Sequence, residues 1–426
     1  MTAKPYRFTI ILAALTTALA PSYLVRWHVG FYPTTLLEIC ILLTAVTFAV
    51  ETARQRTRLQ WMLPITLPAL LFLLAGLIAG LVAPNRFAGL GLFRAFIVEP
   101  VLFAFVLIAV VTTPERAKLV LAGLALAGLA IGLPNAAVVL GALRTHSYDV
   151  TQSPPVVIYT SPNDVPLFLG PLIGIAGALL LYSSDFRTRV LSLVFLAGAV
   201  PAALLSFSRG GYLALAAVAI VLALSHRWRI WLLAAMAAAA LVLVIATPIG
   251  SRIALQFQDV AGNTILGPRG RLFLWSRGLE VIREQPLVGA GLSGFYPHNI
   301  VLNFWVATGL LGLLAFGWLL IATFLVSWRG WREAVGEWRP LHFGVLMALV
   351  AIVAHGLVDV PYFKNDLSLE FWAIVGIAWA GARVAVREPS ETAAEPGGRR
   401  QVSAQIRSVL LGRTHAGARR GLEQPQ

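Results

Sequence analysis

Apolar residues run through this chain in long blocks rather than in strict alternation. Blocks fall near 8–25, 31–50, 62–83, 90–111, 117–141, 164–182, 190–206, 210–224, 230–247, 299–326, 340–358 and 368–386. A helix of about 20 such residues crosses a hydrocarbon core. The pattern therefore predicts an all-α, polytopic membrane protein with about 12 transmembrane helices. One longer segment, 248–298, interrupts the rhythm. Within it Leu272, Trp275, Leu279 and Ile282 recur every three or four positions, so Arg271–Glu284 is predicted as an amphipathic helix stopped by Gln285-Pro286. With Trp and Leu on one side and arginines on the other, such a helix belongs at a membrane interface.

Composition agrees with the pattern. The 426 residues are 58% hydrophobic and only 12% charged, about half the charged share of a soluble domain. The single cysteine, Cys40, excludes an intramolecular disulfide and a Cys-based metal site. Lys4 and Arg7 precede the first block without a convincing cleavage site, so that block reads as an uncleaved first helix.

A formal net charge of +14 would point to nucleic acid in a soluble chain, but here its placement matters more. With the N-terminus in the cytoplasm, the inner segments hold Lys4/Arg7, Arg54/Arg56/Arg58, Arg116/Lys118, Arg187/Arg189, Arg227/Arg229 and Arg329/Arg332/Arg339. Both termini are then cytoplasmic, and no nucleic-acid partner is expected. The domain reading is a membrane domain over 1–386, with 248–298 as its large extracytoplasmic loop. A basic, disordered cytoplasmic tail follows over 387–426. Arg209 and the arginines of the outer loop run against the inner-face bias, and a bound anion explains them.

Arg269 and Arg271 sit between glycines where the amphipathic helix begins, so backbone N–H groups and guanidinium forks can share one phosphate. Arg277 and Arg283 further along read equally as ligand contacts or as contacts to lipid phosphate. In Ser206-Phe207-Ser208-Arg209-Gly210-Gly211, the glycine pair suggests close backbone approach beside an arginine at the membrane edge. His298, at the start of the helix that Asn299 opens, is a candidate general base kept neutral by the helix N-terminus. His355 and Asp359 lie four apart on one helix face, as a functional pair or as a structural tie. Glu38 and Arg94 share a depth and are expected to form a structural ion pair. Gly289–Gly294 matches GxGxxG, but no strand precedes it. It is expected to be a flexible hinge, not a dinucleotide site. The sequence contains no DxD-like pair, HExxH or P-loop.

Taken together, SFSRGG at Ser206–Gly211, Arg271 with Trp275, Pro286–Gly291, His298-Asn299 with Gly309 and Gly312, His355…Asp359 and Ser161-Pro162-Asn163 carry a resemblance. The chain resembles the O-antigen ligase/polymerase superfamily of bacterial membrane glycosyltransferases over roughly residues 150–380. The resemblance implies a multi-pass enzyme of the bacterial inner membrane, working in lipopolysaccharide or other cell-envelope polysaccharide biosynthesis. It implies metal-independent, inverting transfer from an undecaprenyl-pyrophosphate-linked glycan, without a cofactor. The acceptor is a glycan or lipid hydroxyl at the extracytoplasmic face. Carried over, Arg209 and Arg271 would hold the pyrophosphate and His298 would serve catalysis. Arg269, Arg277, Arg283, Asn299, Asn163, His355 and Asp359 would line the substrate. Repeat-unit polymerisation and protein O-oligosaccharyl transfer differ from ligation only in acceptor. A flippase or exporter of the same lipid-linked glycan is the alternative from another class; it predicts charge along a path through the bilayer rather than at one face.

Overall fold

The computed structural model describes residues 6–55, 63–149, 153–246, 270–292 and 295–392. The described residues are 79% helical and almost devoid of strand. Its helices are α1 (Arg7–Ala18), α2 (Leu36–Gln55), α3 (Thr66–Val82), α4 (Arg86–Val110), α5 (Pro114–Arg144), α6 (Asp164–Tyr182) and α7 (Phe186–Leu205). There follow α8 (Arg209–Ser225), α9 (Arg229–Ala246), α10 (Arg271–Glu284), α11 (Ile300–Glu333), α12 (Trp338–Gly356) and α13 (Asn365–Thr392). Among the described residues nine of these are long and apolar enough to cross a membrane, and α1, α3 and α8 are shorter apolar helices. Together they match the predicted apolar blocks one for one. Chain contacts separate a body, Met1–Ala382, from a C-terminal unit, Arg383–Gln426. Residues 393–426 of the expected tail, and 248–269 and 293–294 of the expected outer loop, lie outside the described residues.

Two helices that carry candidate site residues start where a side chain takes up a free N–H. Ser208 accepts from Gly211 N at the start of α8, and Asn299 accepts from Val301 N and Leu302 N at the start of α11. Helices α6 and α12 are the most closely apposed and are buried along most of their length. At one end of the bundle, Lys118 bridges Glu337 (2.7 Å) and Asp185 (3.3 Å). That clamp joins the start of α5 to the α6–α7 and α11–α12 turns. The opposite end gathers the starts of α6, α8, α11 and α13 with the end of α12, and the candidate residues are there.

Two features break the helical pattern. The block predicted to begin at residue 31 starts instead with a strand: β1 (Arg26–Val29) and β2 (Tyr32–Thr35) pair antiparallel, Val29 opposite Tyr32. Gly30, at φ +62°, makes the turn between them. Tyr32 and Thr34 then hydrogen-bond Glu38, so α2 begins only at Leu36. The second feature is a π-turn over Arg94–Val98 within α4. Its first residue reaches Glu38 at 3.1 Å, as expected, and also Glu99 at 3.0 Å and the Pro33 carbonyl at 3.0 Å. This ties the hairpin to α4.

Candidate active site

The turn before α8 is wedged between two helices. Ser206 donates to the Ala203 carbonyl (2.6 Å), and Phe207 adopts φ 51° to bring the chain round. Gly210 then abuts the His355 ring of α12: a Cβ there would sit 2.6 Å from His355 Cδ2 and 2.7 Å from Nε2. Gly211 meets Pro166 of α6 as closely, at 2.6 Å. Only glycine permits this approach. Arg209, half-buried as the first residue of α8, is thereby carried to the end of α12.

From the other direction α10 delivers Arg271. Its guanidinium donates to the His298 carbonyl (3.3 Å) and faces Asp359 Oδ2 at 3.6 Å. Asp359 Oδ1 lies 3.1 Å from His298 Nδ1 and also accepts from Val360 N at 3.0 Å. Burial would raise the Asp359 carboxyl, but the His298 hydrogen bond and the charges of His298, Arg271 and His355 hold it down at about 2. An ionised Asp359 only accepts, so Nδ1 of His298 carries the hydrogen and Nε2 is the nitrogen able to take a proton. His298 sits at φ 52°, a costly conformation for a non-glycine residue. It is held from both sides, by Arg271 on its carbonyl and by Asp359 on its ring. The Tyr296 ring stands edge-on to the imidazole at 4.8 Å. Burial, and after it the charges of Asp359 and Asp164, push the Tyr296 phenol well above its ordinary range, so it stays a donor, to the Val360 carbonyl at 2.9 Å.

The sequence expectation credited the helix N-terminus with tuning His298; the structure supplies a nearer partner in Asp359. His355 is 2% exposed and its Nε2 has no hydrogen-bond partner among the described residues. Asn299 donates to the Leu357 carbonyl at 3.0 Å, linking the start of α11 to the Asp359 loop. Asn163 immediately precedes α6, half-buried. Arg277 and Arg283 point away from this cluster's buried face, and exposed Arg277 pairs with Glu280. On α10, Gly278 and Ile282 are the buried positions, and Leu272 and Leu279 are exposed on the apolar side. Arg269 lies outside the described residues.

Sequence reasoning passed over a second polar group beside the first. Lys364 pairs with Asp164 and lies 5.4 Å over the Tyr159 ring, and the Tyr159 hydroxyl donates to Asp366. These contacts tie the segment before α6 to the segment before α13. Asp164 adjoins the Ser161-Pro162-Asn163 motif, which was the one available signal. Among the described residues no three His, Cys, Asp or Glu side chains gather in a metal-holding arrangement.

The flexible hinge expected at Gly289–Gly294 is instead pinned where it is described, through Leu292, and Ser293 and Gly294 lie outside the described residues. The Pro286 carbonyl accepts from Trp305 Nε1 (2.8 Å) and Leu310 N (3.2 Å), Ala290 N donates to Val306 O (2.7 Å), and Leu292 N to Ala79 O (3.1 Å). Gly309, at φ +66°, kinks α11 to receive this segment; a Cβ there would lie 2.0 Å from the Leu287 carbonyl oxygen. The glycines serve close backbone contact, and the segment is a staple fixing the end of α10 to α11.

Apolar helices throughout, with a polar cluster collected at one end of the bundle, define a multi-pass, all-α membrane protein. Within that class, residues 191–317 match the family described as O-antigen ligase, a match that supports membership of the O-antigen ligase/polymerase superfamily. The match takes in Arg209, Arg271, His298 and Gly309 and supports glycosyl transfer of that kind in general. No curated protein matches the chain.

Proposed function

We propose that the protein transfers a glycan from an undecaprenyl-pyrophosphate donor to an acceptor hydroxyl at the extracytoplasmic face of the bacterial inner membrane. The observation that carries this is the joining of Arg271, His298 and Asp359 within hydrogen-bonding or ion-pairing reach, beside the turn that presents Arg209. The orientation rests on charge: Arg116, Lys118, Arg187, Arg189, Arg227, Arg229, Arg329, Arg332 and Arg339 flank helix ends away from the site. That end is taken as cytoplasmic, together with the tail over 387–426.

The acceptor oxygen attacks the anomeric carbon as the bond from that carbon to the phosphate oxygen breaks, with inversion. The acceptor proton passes to His298 Nε2, and undecaprenyl pyrophosphate leaves carrying the displaced electron pair. Negative charge grows on the departing phosphate, where fixed guanidiniums in a low-dielectric site are most effective. Arg209 and Arg271 are assigned that role, and Asp359 orients the imidazole and balances its charge once protonated. Arg277 and Arg283 extend the cationic surface toward the lipid headgroup, Arg269 is assigned to the donor phosphate from its place in the sequence, and Asn163, Asn299 and His355 line or support the acceptor side.

Purified protein, a defined lipid-linked donor and a panel of acceptors (lipid A-core, a second lipid-linked repeat unit, a serine peptide) test the reading together. Product on one acceptor selects ligase, polymerase or protein transferase. Absence of product on every acceptor, alongside donor movement across vesicles, would instead establish an exporter.

A further inference from the structure

The loop that carries Asp359 has an anchor of its own. Val360 N holds Asp359 Oδ1 at 3.0 Å, and the Val360 carbonyl accepts from the Tyr296 hydroxyl and from Tyr362 N, each at 2.9 Å. Placement of the carboxylate thus follows placement of Val360. Tyr362, two residues on, is fully buried. Its hydroxyl donates to the Phe96 carbonyl at 2.8 Å and accepts from Trp372 Nε1 at 2.9 Å.

Phe96 lies in the π-turn of α4. In a regular α-helix its carbonyl would accept from the residue four positions on. That residue is Pro100, which has no N–H. A carbonyl short of a partner inside a membrane bundle is costly, and the Tyr362 hydroxyl meets it. The bond therefore joins α4 to the Asp359 loop across the bundle. Phe96, Tyr362 and Trp372 all lie outside 191–317, so the family match carries none of this.

We propose that Tyr362 is a positioning residue: bonded to the Phe96 carbonyl and to Trp372, it holds Val360 so that Asp359 faces both His298 and Arg271. Its kinetic consequence rests on the transferase reading; the geometry does not. A purely structural role would belong to the ring, which meets Phe72 at 5.8 Å, Phe304 at 5.2 Å and Phe371 at 5.5 Å. Phenylalanine preserves those contacts and removes only the hydroxyl.

The test compares full-length wild type and Tyr362→Phe in lipid nanodiscs. With a productive donor and acceptor, kcat falls about tenfold at unchanged donor KM, because a slightly misplaced group slows reaction without weakening binding. Unchanged kcat, or a rise in KM alone, overturns the proposal. Hydrogen–deuterium exchange needs no donor. Amides of 357–364 exchange faster in the variant while α11 and α12 do not, and equal exchange overturns the proposal. Wild type inactive on every acceptor sinks the transferase reading alone, and exchange still decides the positioning role. If Tyr362→Phe is not recovered folded, Trp372→Phe, which removes the bond into the hydroxyl together with part of the buried indole ring, carries the same expectations for kcat and for exchange of 357–364.

Discussion

Arg271 reaches the His298 carbonyl at 3.3 Å and Asp359 Oδ2 at 3.6 Å, long contacts for a guanidinium with five donors. Among the described residues these contacts leave guanidinium donors over, which the proposed pyrophosphate-binding role would use. Substitution His298→Ala should lower kcat about 10²–10⁴-fold, the range for a lost general base, with little change in donor KM. Steady-state kinetics check this, and a variant at wild-type rate would remove His298 from proton transfer. Asp359 also makes a stability prediction with a definite sign. Its folded carboxyl is depressed to about 2, below an ordinary value of about 3.9. The associated stabilisation, roughly 2 kcal/mol, is complete above pH ~4 and is lost as pH falls through about 2. The difference in Tm between wild type and Asp359→Asn should be flat at neutral pH and shrink below ~4. A difference that stays constant down to the lowest accessible pH would contradict the depressed carboxyl.

At the scale of elements, α10 and the staple after it set where Arg271 stands. Gly309 has both a left-handed φ and a neighbouring carbonyl in the space a Cβ would take. Gly309→Ala should therefore destabilise by about 3 kcal/mol, combining backbone strain with overpacking. Gly317→Ala, eight residues along α11 with nothing within 4 Å, should be near neutral or slightly stabilising. Thermal melts of the two variants would read this contrast directly. The bounds of α10 were legible because Leu272, Trp275, Leu279 and Ile282 are local and Pro286 stops the helix. The staple was misread because glycine spacing is the same whether the backbone moves freely or is pressed against another chain segment. Only the Val306 and Leu287 carbonyls distinguish the cases, and no sequence pattern points to them. The hairpin at Arg26–Thr35 was hidden for a similar reason: Phe31 and Tyr32 extend an apolar block without showing that Gly30 turns the chain.

For the whole molecule, the helical blocks were readable because membrane length and hydropathy are properties of a continuous stretch. The meeting of Asp164 with Lys364, or of Tyr159 with Asp366, depends on how segments about 200 residues apart are brought together by the bundle, which no local pattern encodes. Compartment is testable independently of chemistry. In a Cys40→Ala background, Phe31→Cys, at the tip of the hairpin and 96% exposed, should react with a membrane-impermeant thiol reagent in spheroplasts. Ser184→Cys, beside the Lys118 clamp, should react only after permeabilisation. The reverse result would invert the proposed orientation. The central claim is that guanidinium groups from α8 and α10 stabilise a departing pyrophosphate. It is tested most directly by single-turnover transfer from a defined undecaprenyl-pyrophosphate glycan by wild type and Arg271→Ala. The account predicts that the variant, folded and saturated with donor, is slower by about 10²–10³-fold; a variant that transfers at the wild-type rate would contradict it.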